Sequence, residues 1–301
     1  MNTLRMGRYE WLLLIGLSVL WGSSFVFIEL ALASLTPFTI VTLRTGIAAL
    51  ALTLYLTLCG ERLPATLADW RRFLILGALR AALPISLIVW AETHITSGLA
   101  GILNSTSPLF TAIIAHLLTS DDKLTGQRLA GILIGMIGVG VLVGTDALRG
   151  LGTQVMAQLA MLGATCSYGF AAVYGRQFQG DSPVVSAAGM LIGATILTLP
   201  FALWEAPWTL SPTAASIGAI LGLALLSTAL AFIIWFQLIF RAGPSNTAMV
   251  TFLIPFTTLI LGVLVLGERV ETVSLIGLGV ILFGLAVTQR RVFRFERLMF
   301  P

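Results

Sequence analysis

Three ionisable residues lie inside long apolar stretches, where a charge is costly and marks either a functional or a pairing role. Arg80 stands midway along the run 72–91. Its guanidinium presents five donors in a planar fork that matches a carboxylate or another anionic group. The other reading of Arg80 is a structural partner for a backbone carbonyl or an acid. Glu29 and Arg44 stand in the outer halves of two successive runs, 11–33 and 37–58, toward the turn that joins them. They are expected to form a structural ion pair that ties those two segments together.

Hydroxyl and amide groups form a second pattern. Asn104, Ser107, Pro108 and Thr111 follow the spacing i, i+3, i+4, i+7, which is one side of a helix. Thr247, Thr251, Pro255 and Thr258 repeat it near the C-terminus. Each proline removes a backbone hydrogen bond and frees a carbonyl, and such breaks persist where backbone is buried or faces a wet cavity. The two matching faces are therefore expected to line a cavity; the alternative is polar glue between helices. Trp21, with Ser24 one turn on, Tyr168 and Trp235 add aromatic walls that can stack on flat apolar groups and attract an ammonium. Core packing or lipid contact is the other reading of each aromatic.

No catalytic set accompanies these residues. There is no HExxH, P-loop or CxxC cluster, so neither metal nor cofactor is expected. His94 and His116 bracket one run and would stand about 33 Å apart on a continuous helix at 1.5 Å per residue. Cys59 and Cys166 form no disulfide framework and read as small apolar fillers.

The elements that must position these groups are set by composition. Of 301 residues, 57% are hydrophobic and 10% charged, with a mean hydropathy of +0.99. Soluble domains carry about 25% charge, so this chain cannot cover a soluble surface. The formal charge of +4 does not imply nucleic acid, because the cations sit in short gaps and form no basic stripe with interleaved aromatics. Ten runs approach the roughly 20 residues a bilayer-spanning helix needs. They cover 11–33, 37–58, 72–91, 97–118, 128–144, 154–174, 184–204, 214–239, 245–267 and 272–288. The first run is too long for a signal-peptide core and is read as a retained span. The expected partner is the lipid bilayer, and no gap has room for a soluble domain.

Cations give the orientation. Thirteen of the 17 Lys and Arg residues fall on the side of the two termini, two (Arg149 and Arg269) on the other, and Arg44 and Arg80 inside spans. By the positive-inside rule both termini are expected in the cytoplasm.

The halves also resemble each other. SGLAGILNSTSPLFTAIIAHLLTSD from Ser97 lies over PSNTAMVTFLIPFTTLILGVLVLGE from Pro244, with Pro108 on Pro255, Asn104 on Thr251 and Thr111 on Thr258. In the following run Gly131 falls on Gly277 and Gly138 on Gly284, and Pro37 matches Pro183. Two units are expected, 1–147 and 148–301. Five spans is an odd number, so the second unit enters the membrane from the opposite side. Such inverted repeats place a solute site near the midplane and permit alternating access. Glycines in GILIG (131–135), GVLVG (140–144) and GAILG (218–222) read as helix-packing positions.

Five-plus-five spans occur here with WGSSFVFIE in the first run, Arg44 in the second, the Pro-centred fourth and ninth, and LGE at 266–268. Together they resemble the drug/metabolite transporter superfamily, EamA type, and within it most resemble bacterial amino-acid exporters, including those for aromatic amino acids. The resemblance implies ten helices around a central cavity in the bacterial inner membrane, and a secondary transporter that exports amino acids or similar metabolites. A functional monomer is expected. The rival readings are a nucleotide-sugar or sugar-phosphate carrier and, from another class, an intramembrane enzyme. The chain departs from the family pattern in two places. Its fourth run ends in TSDD rather than LGE. The middle of the first run, LSVLWGSS, lacks the buried Glu that small multidrug members use for proton exchange.

Overall fold

The structure is a computed structural model, and it describes residues 7–120, 124–147, 152–178, 181–242, 247 and 249–288. Its ten principal helices follow the ten apolar runs. They are α1 (Arg8–Leu32), α2 (Pro37–Leu58), α3 (Leu67–Glu92), α4 (Ser97–Leu118), α5 (Gly126–Ala147), α6 (Thr153–Tyr174), α7 (Pro183–Trp204), α8 (Ala214–Ala242, in three continuous segments), α9 (Val250–Leu266) and α10 (Thr272–Thr288). Eight are long and apolar enough to cross a membrane, while α9 and α10 are shorter apolar helices. Large side chains on the outer surface are apolar and exposed, among them Leu12, Leu50, Leu58 and Leu264. In water this surface would aggregate; in a bilayer it is the lipid-facing coat. The Arg-rich tail beyond residue 288 and the start of the ninth run lie outside the described residues.

Local chemistry sets the boundaries. Pro37 and Pro183 open α2 and α7 in the first turn, where a missing N–H costs nothing. Thr66, Thr96 and Thr213 cap α3, α4 and α8 by accepting from Asp69, Leu99 and Ser216 N–H. Gly267 ends α9 in the left-handed conformation (φ 68°), and Glu268 N–H then turns back to the Gly262 carbonyl.

Two helices widen in mid-span. Pro84 cannot donate to the Arg80 carbonyl, and α3 adopts a π-turn over Ala78–Ala82, where Leu83 N–H reaches Ala78 O. The Ser167 hydroxyl on α6 donates to the Leu79 carbonyl at 2.7 Å within that turn. α8 is π-helical over Gly222–Leu230, the segment onto which the repeat offset carries the α3 turn. There Thr228 Oγ1 donates to the Leu223 carbonyl at 2.7 Å.

Packing shows the two-fold relation between the repeats. A methyl group on Gly131 would lie 2.6 Å from Gly284 O, and one on Gly284 would lie 2.6 Å from Gly131 O. The symmetry mate is Gly138, where a methyl group would lie 2.9 Å from Gly277 O, so α5 and α10 pack backbone to backbone. The antiparallel α2–α7 pair is joined by Thr42–Thr198 and Thr195–Thr45 hydroxyl bonds at 2.9 and 3.0 Å. Its ends are capped reciprocally. Glu205, after α7, accepts from Thr36, Phe38 and Thr39 at the start of α2, while Glu61, after α2, accepts from Ser182 at the start of α7. The packing role expected for the glycines holds for GILIG, in which Gly135 abuts Leu109. In GVLVG, Gly140 and Gly144 face nothing within 4 Å.

Candidate functional site

Arg80 projects from the π-turn of α3. Its guanidinium carbon lies 4.6 Å from the centroid of the Tyr168 ring on α6. Stacking there contributes about 0.5–2 kcal/mol and fixes the plane of the fork. Among the described residues no hydrogen bond or ion pair occupies the Arg80 nitrogens, and the side chain is only half-buried. The π-turn and the aromatic platform orient a cation that the described residues leave open.

Arg44 stands beside it. Only 9% exposed, it donates from Nε to Thr228 Oγ1 at 3.0 Å, at the widened part of α8. Tyr168, Glu92 and Arg80 all lie within Coulombic range of it. Arg80 and Tyr168 thus form one contact and Arg44 and Thr228 another, the two within electrostatic range of each other, while Glu92 stands about 18 Å further along α3 from Arg80. The expected Glu29–Arg44 ion pair is not formed. Arg44 turns to Thr228, and Glu29 instead shares a cleft with Glu92 and Glu268. An arginine held by a neutral hydroxyl keeps its charge available to the groups around it.

The other predicted site residues divide. Trp21, Asn104, Ser107, Pro108, Thr111, Trp235 and Thr251 are half-buried. The Pro108 break divides α4 into Ser97–Asn104 and Ser107–Leu118. The carbonyl it frees, Asn104 O, accepts the Ser107 hydroxyl at 2.7 Å, and Thr111 Oγ1 donates to Ser107 O. These hydroxyls keep lone pairs free while their protons are spent locally. Ser24 is likewise turned onto its own helix, donating to Trp21 O. In this arrangement Thr258 is not a cavity wall. It has 0% exposure and wedges between helices, bonded to Ile254 O and reaching Gly22 O of α1 at 3.3 Å. Pro255 is buried within α9. Glycine at 22 and 101 lets α1 and α4 approach the Thr257–Thr258 pair. A methyl on Gly22 would fall 2.1 Å from Thr257 Oγ1, and one on Gly101 2.7 Å from Thr258 Cγ2. On this side the polar glue reading describes the second face better than a lining does.

Sequence reasoning missed Glu92 and Thr228, and read Glu268 only as part of LGE. All three acids Glu29, Glu92 and Glu268 line a cleft of about 370 Å³ at the end of the bundle away from the start of α1, with Thr93, His94 and Thr96 at its rim. Glu268 closes one wall. Its two oxygens accept from Ser97 and Gly98 N–H at 2.9 and 3.0 Å, at the start of α4. Glycines at 98 and 262 leave the space its carboxylate fills, for a methyl group at either would lie within 3.0 Å of Oε2. The one signal that could have found Glu92 was an acid adjoining the end of an apolar run. The predicted span stops one residue short of it.

Ten apolar helices in two interlocked sets, with Arg44 and Arg80 inside their spans, define a multi-pass membrane protein of the transporter type. The model of the EamA-like transporter family matches residues 9–144 and again 155–290, and the chain belongs to that family. The chain is similar to the uncharacterized transporter YoaV of Bacillus subtilis (strain 168), with 24% identity over 88% of this chain and 91% of that one. It is also similar to the uncharacterized inner membrane transporter YedA of Escherichia coli (strain K12), with 26% identity over 91% of this chain and 88% of that one. A solved crystal structure 20% identical in sequence superposes with a TM-score of 0.67 over 95% of this chain and 99% of the other, a likeness of fold.

Proposed function

We propose that the protein is a secondary transporter that exports small metabolites, with amino acids as the substrate class, by alternating access. The observation that carries this reading is Arg80: a cation on a mid-span π-turn, over the ring of Tyr168, with no protein partner on its nitrogens among the described residues. A carboxylate is the ligand whose geometry its fork fits. The aromatic groups at Trp21 and Trp235 suit an apolar side chain or an ammonium. In this reading residues 1–147 and 148–301 are the two units that rock against each other, and the chain acts as a monomer. Its termini face the cytoplasm of a bacterial inner membrane, in keeping with the bias of cations toward that side.

Arg44 supports a second reading. Two guanidiniums within Coulombic range of each other suit a phosphate as well as a carboxylate, as a sugar-phosphate carrier would need. Counterflow into proteoliposomes separates the two. Vesicles preloaded with unlabelled amino acids should accumulate the labelled amino acid, and vesicles preloaded with sugar phosphates should not accumulate labelled sugar phosphate. The reverse pattern would replace the amino-acid reading with the phosphate one. No counterflow with either panel would overturn both.

A further inference from the structure

The distal cleft holds an acid that nothing in the solute reading uses. Glu92, the last residue of α3, is 3% exposed, and neither of its carboxyl oxygens has a hydrogen-bond partner among the described residues. It lies at the floor of the cleft, whose rim residues Thr93 and Thr96 are exposed. Beside it, Glu29 Oε2 and the Ser97 hydroxyl are also buried without partners.

The charged groups around Glu92 are Glu29 from α1, Arg44 from α2 and Glu268 after α9, with Arg80 deeper on its own helix, Tyr168 on α6 and His94 at the rim. Glu268 is committed to the α4 N-terminus. Arg44 spends its Nε on Thr228 and makes no ion pair with Glu92. An ionised carboxylate buried without a single donor costs several kcal/mol, and two further acids add repulsion. A neutral carboxyl avoids most of that cost.

We propose that Glu92 is a proton-exchange site, with Glu29 as its neighbour at the mouth, loaded and unloaded through the distal cleft as the protein changes conformation. In the closed arrangement, with Glu268 clamped on Ser97 and Gly98, Glu92 carries a proton. When the Glu268 clamp on Ser97 and Gly98 releases, water enters the cleft and the Glu92 O–H bond breaks. The proton passes to water, the oxygen keeps the electron pair, and Arg44 compensates the new charge. The closed arrangement therefore holds one more proton than the open one, so acid favours closure and alkali favours opening. Loading and unloading through one face moves no proton across the bilayer; it ties the conformational step to the pH on that side.

The test is infrared difference spectroscopy on the full chain in lipid nanodiscs across a pH series, following the C=O stretch of protonated carboxyl groups. The wild type should show a protonated-carboxyl band that disappears reversibly as pH rises and shifts in deuterated buffer. Glu92→Gln should remove the band, Glu92→Asp should retain one, and Glu29→Gln should keep it while moving its midpoint. The Asp variant guards against a Gln variant that merely fails to fold. A wild-type protein with no titrating band, or a band that survives in Glu92→Gln, would overturn the proposal. The readout needs no transported solute, so it stands or falls apart from the amino-acid reading.

Discussion

Glu268 is the residue through which the end of α9 grips the start of α4, and its removal gives the sharpest structural prediction. Two backbone N–H groups, on Ser97 and Gly98, donate to its carboxylate at 2.9 and 3.0 Å. Hydrogen bonds to a charged group are worth about 1.5–3 kcal/mol each, and a carboxylate at a helix N-terminus gains about 0.3–1 kcal/mol from the dipole. Glu268 is half-buried, so water recovers part of this in the variant. Glu268→Ala is then expected to weaken the α4–α9 junction by about 2–4 kcal/mol, which is about a 30- to 1,000-fold shift toward the open junction. Glu268→Gln keeps one acceptor and loses the charge, and should fall between. The assay combines thermal unfolding in detergent with thiol labelling of Ser97→Cys in a background lacking Cys59 and Cys166. Glu268→Ala should unfold at lower temperature, and the introduced thiol should label much faster. Unchanged labelling together with unchanged melting would refute the clamp.

Three further outcomes follow from the same contacts. Gly131→Ala pushes a methyl group to 2.6 Å from Gly284 O, so α5 and α10 must separate; a loss of about 1–3 kcal/mol is expected. Gly284→Ala should match it, and Gly140→Ala, which meets nothing within 4 Å, should be silent in the same melting assay. Pro108→Ala restores a donor beside the Asn104 carbonyl now held by Ser107, and removes a break worth about 3 kcal/mol. Transport is expected to slow several-fold at unchanged abundance, and normal flux would take the break out of the mechanism. Single cysteines placed at positions 2 and 301, with Cys59 and Cys166 replaced, should resist impermeant thiol reagents in intact cells. Labelling of either from outside would reverse the orientation.

Much of this fold is legible from hydropathy alone, because a bilayer forces each span to be a long apolar helix that satisfies its own backbone. The runs 37–58 and 97–118 reappear with the same ends as α2 and α4. The offset that pairs Gly131 with Gly277 and Gly138 with Gly284 marks equivalent positions, not a contact. The crossed contact, 131 against 284 and 138 against 277, needed coordinates. The site was less legible, since sequence shows depth along a helix but not rotation about its axis. Arg44 and Glu29 share a depth, yet Arg44 turns to Thr228. The threonines of α9 read as a lining, yet Thr258 is sealed against α1. Glu92 escaped because α3 runs a residue past its predicted end, and Thr228 because a single Ser-Thr pair in an apolar run carries no helical spacing. Pro84 was the clue left unread: it explains why α3 widens at Arg80 and so why that cation projects where it does.

The central claim is that Arg80 recognises the carboxylate of an exported amino acid. Flux per folded molecule in proteoliposomes tests it most directly, with the folded amount fixed by gel filtration and melting temperature. Arg80→Lys keeps the charge and loses the planar fork and much of its stacking on Tyr168; it should weaken transport about 10-fold, an interaction loss of about 1.4 kcal/mol. Arg80→Gln loses the charge as well and should nearly abolish transport, while both proteins insert and melt close to the wild type. Arg80→Gln molecules that transport at the wild-type rate, whatever their stability, would contradict the account.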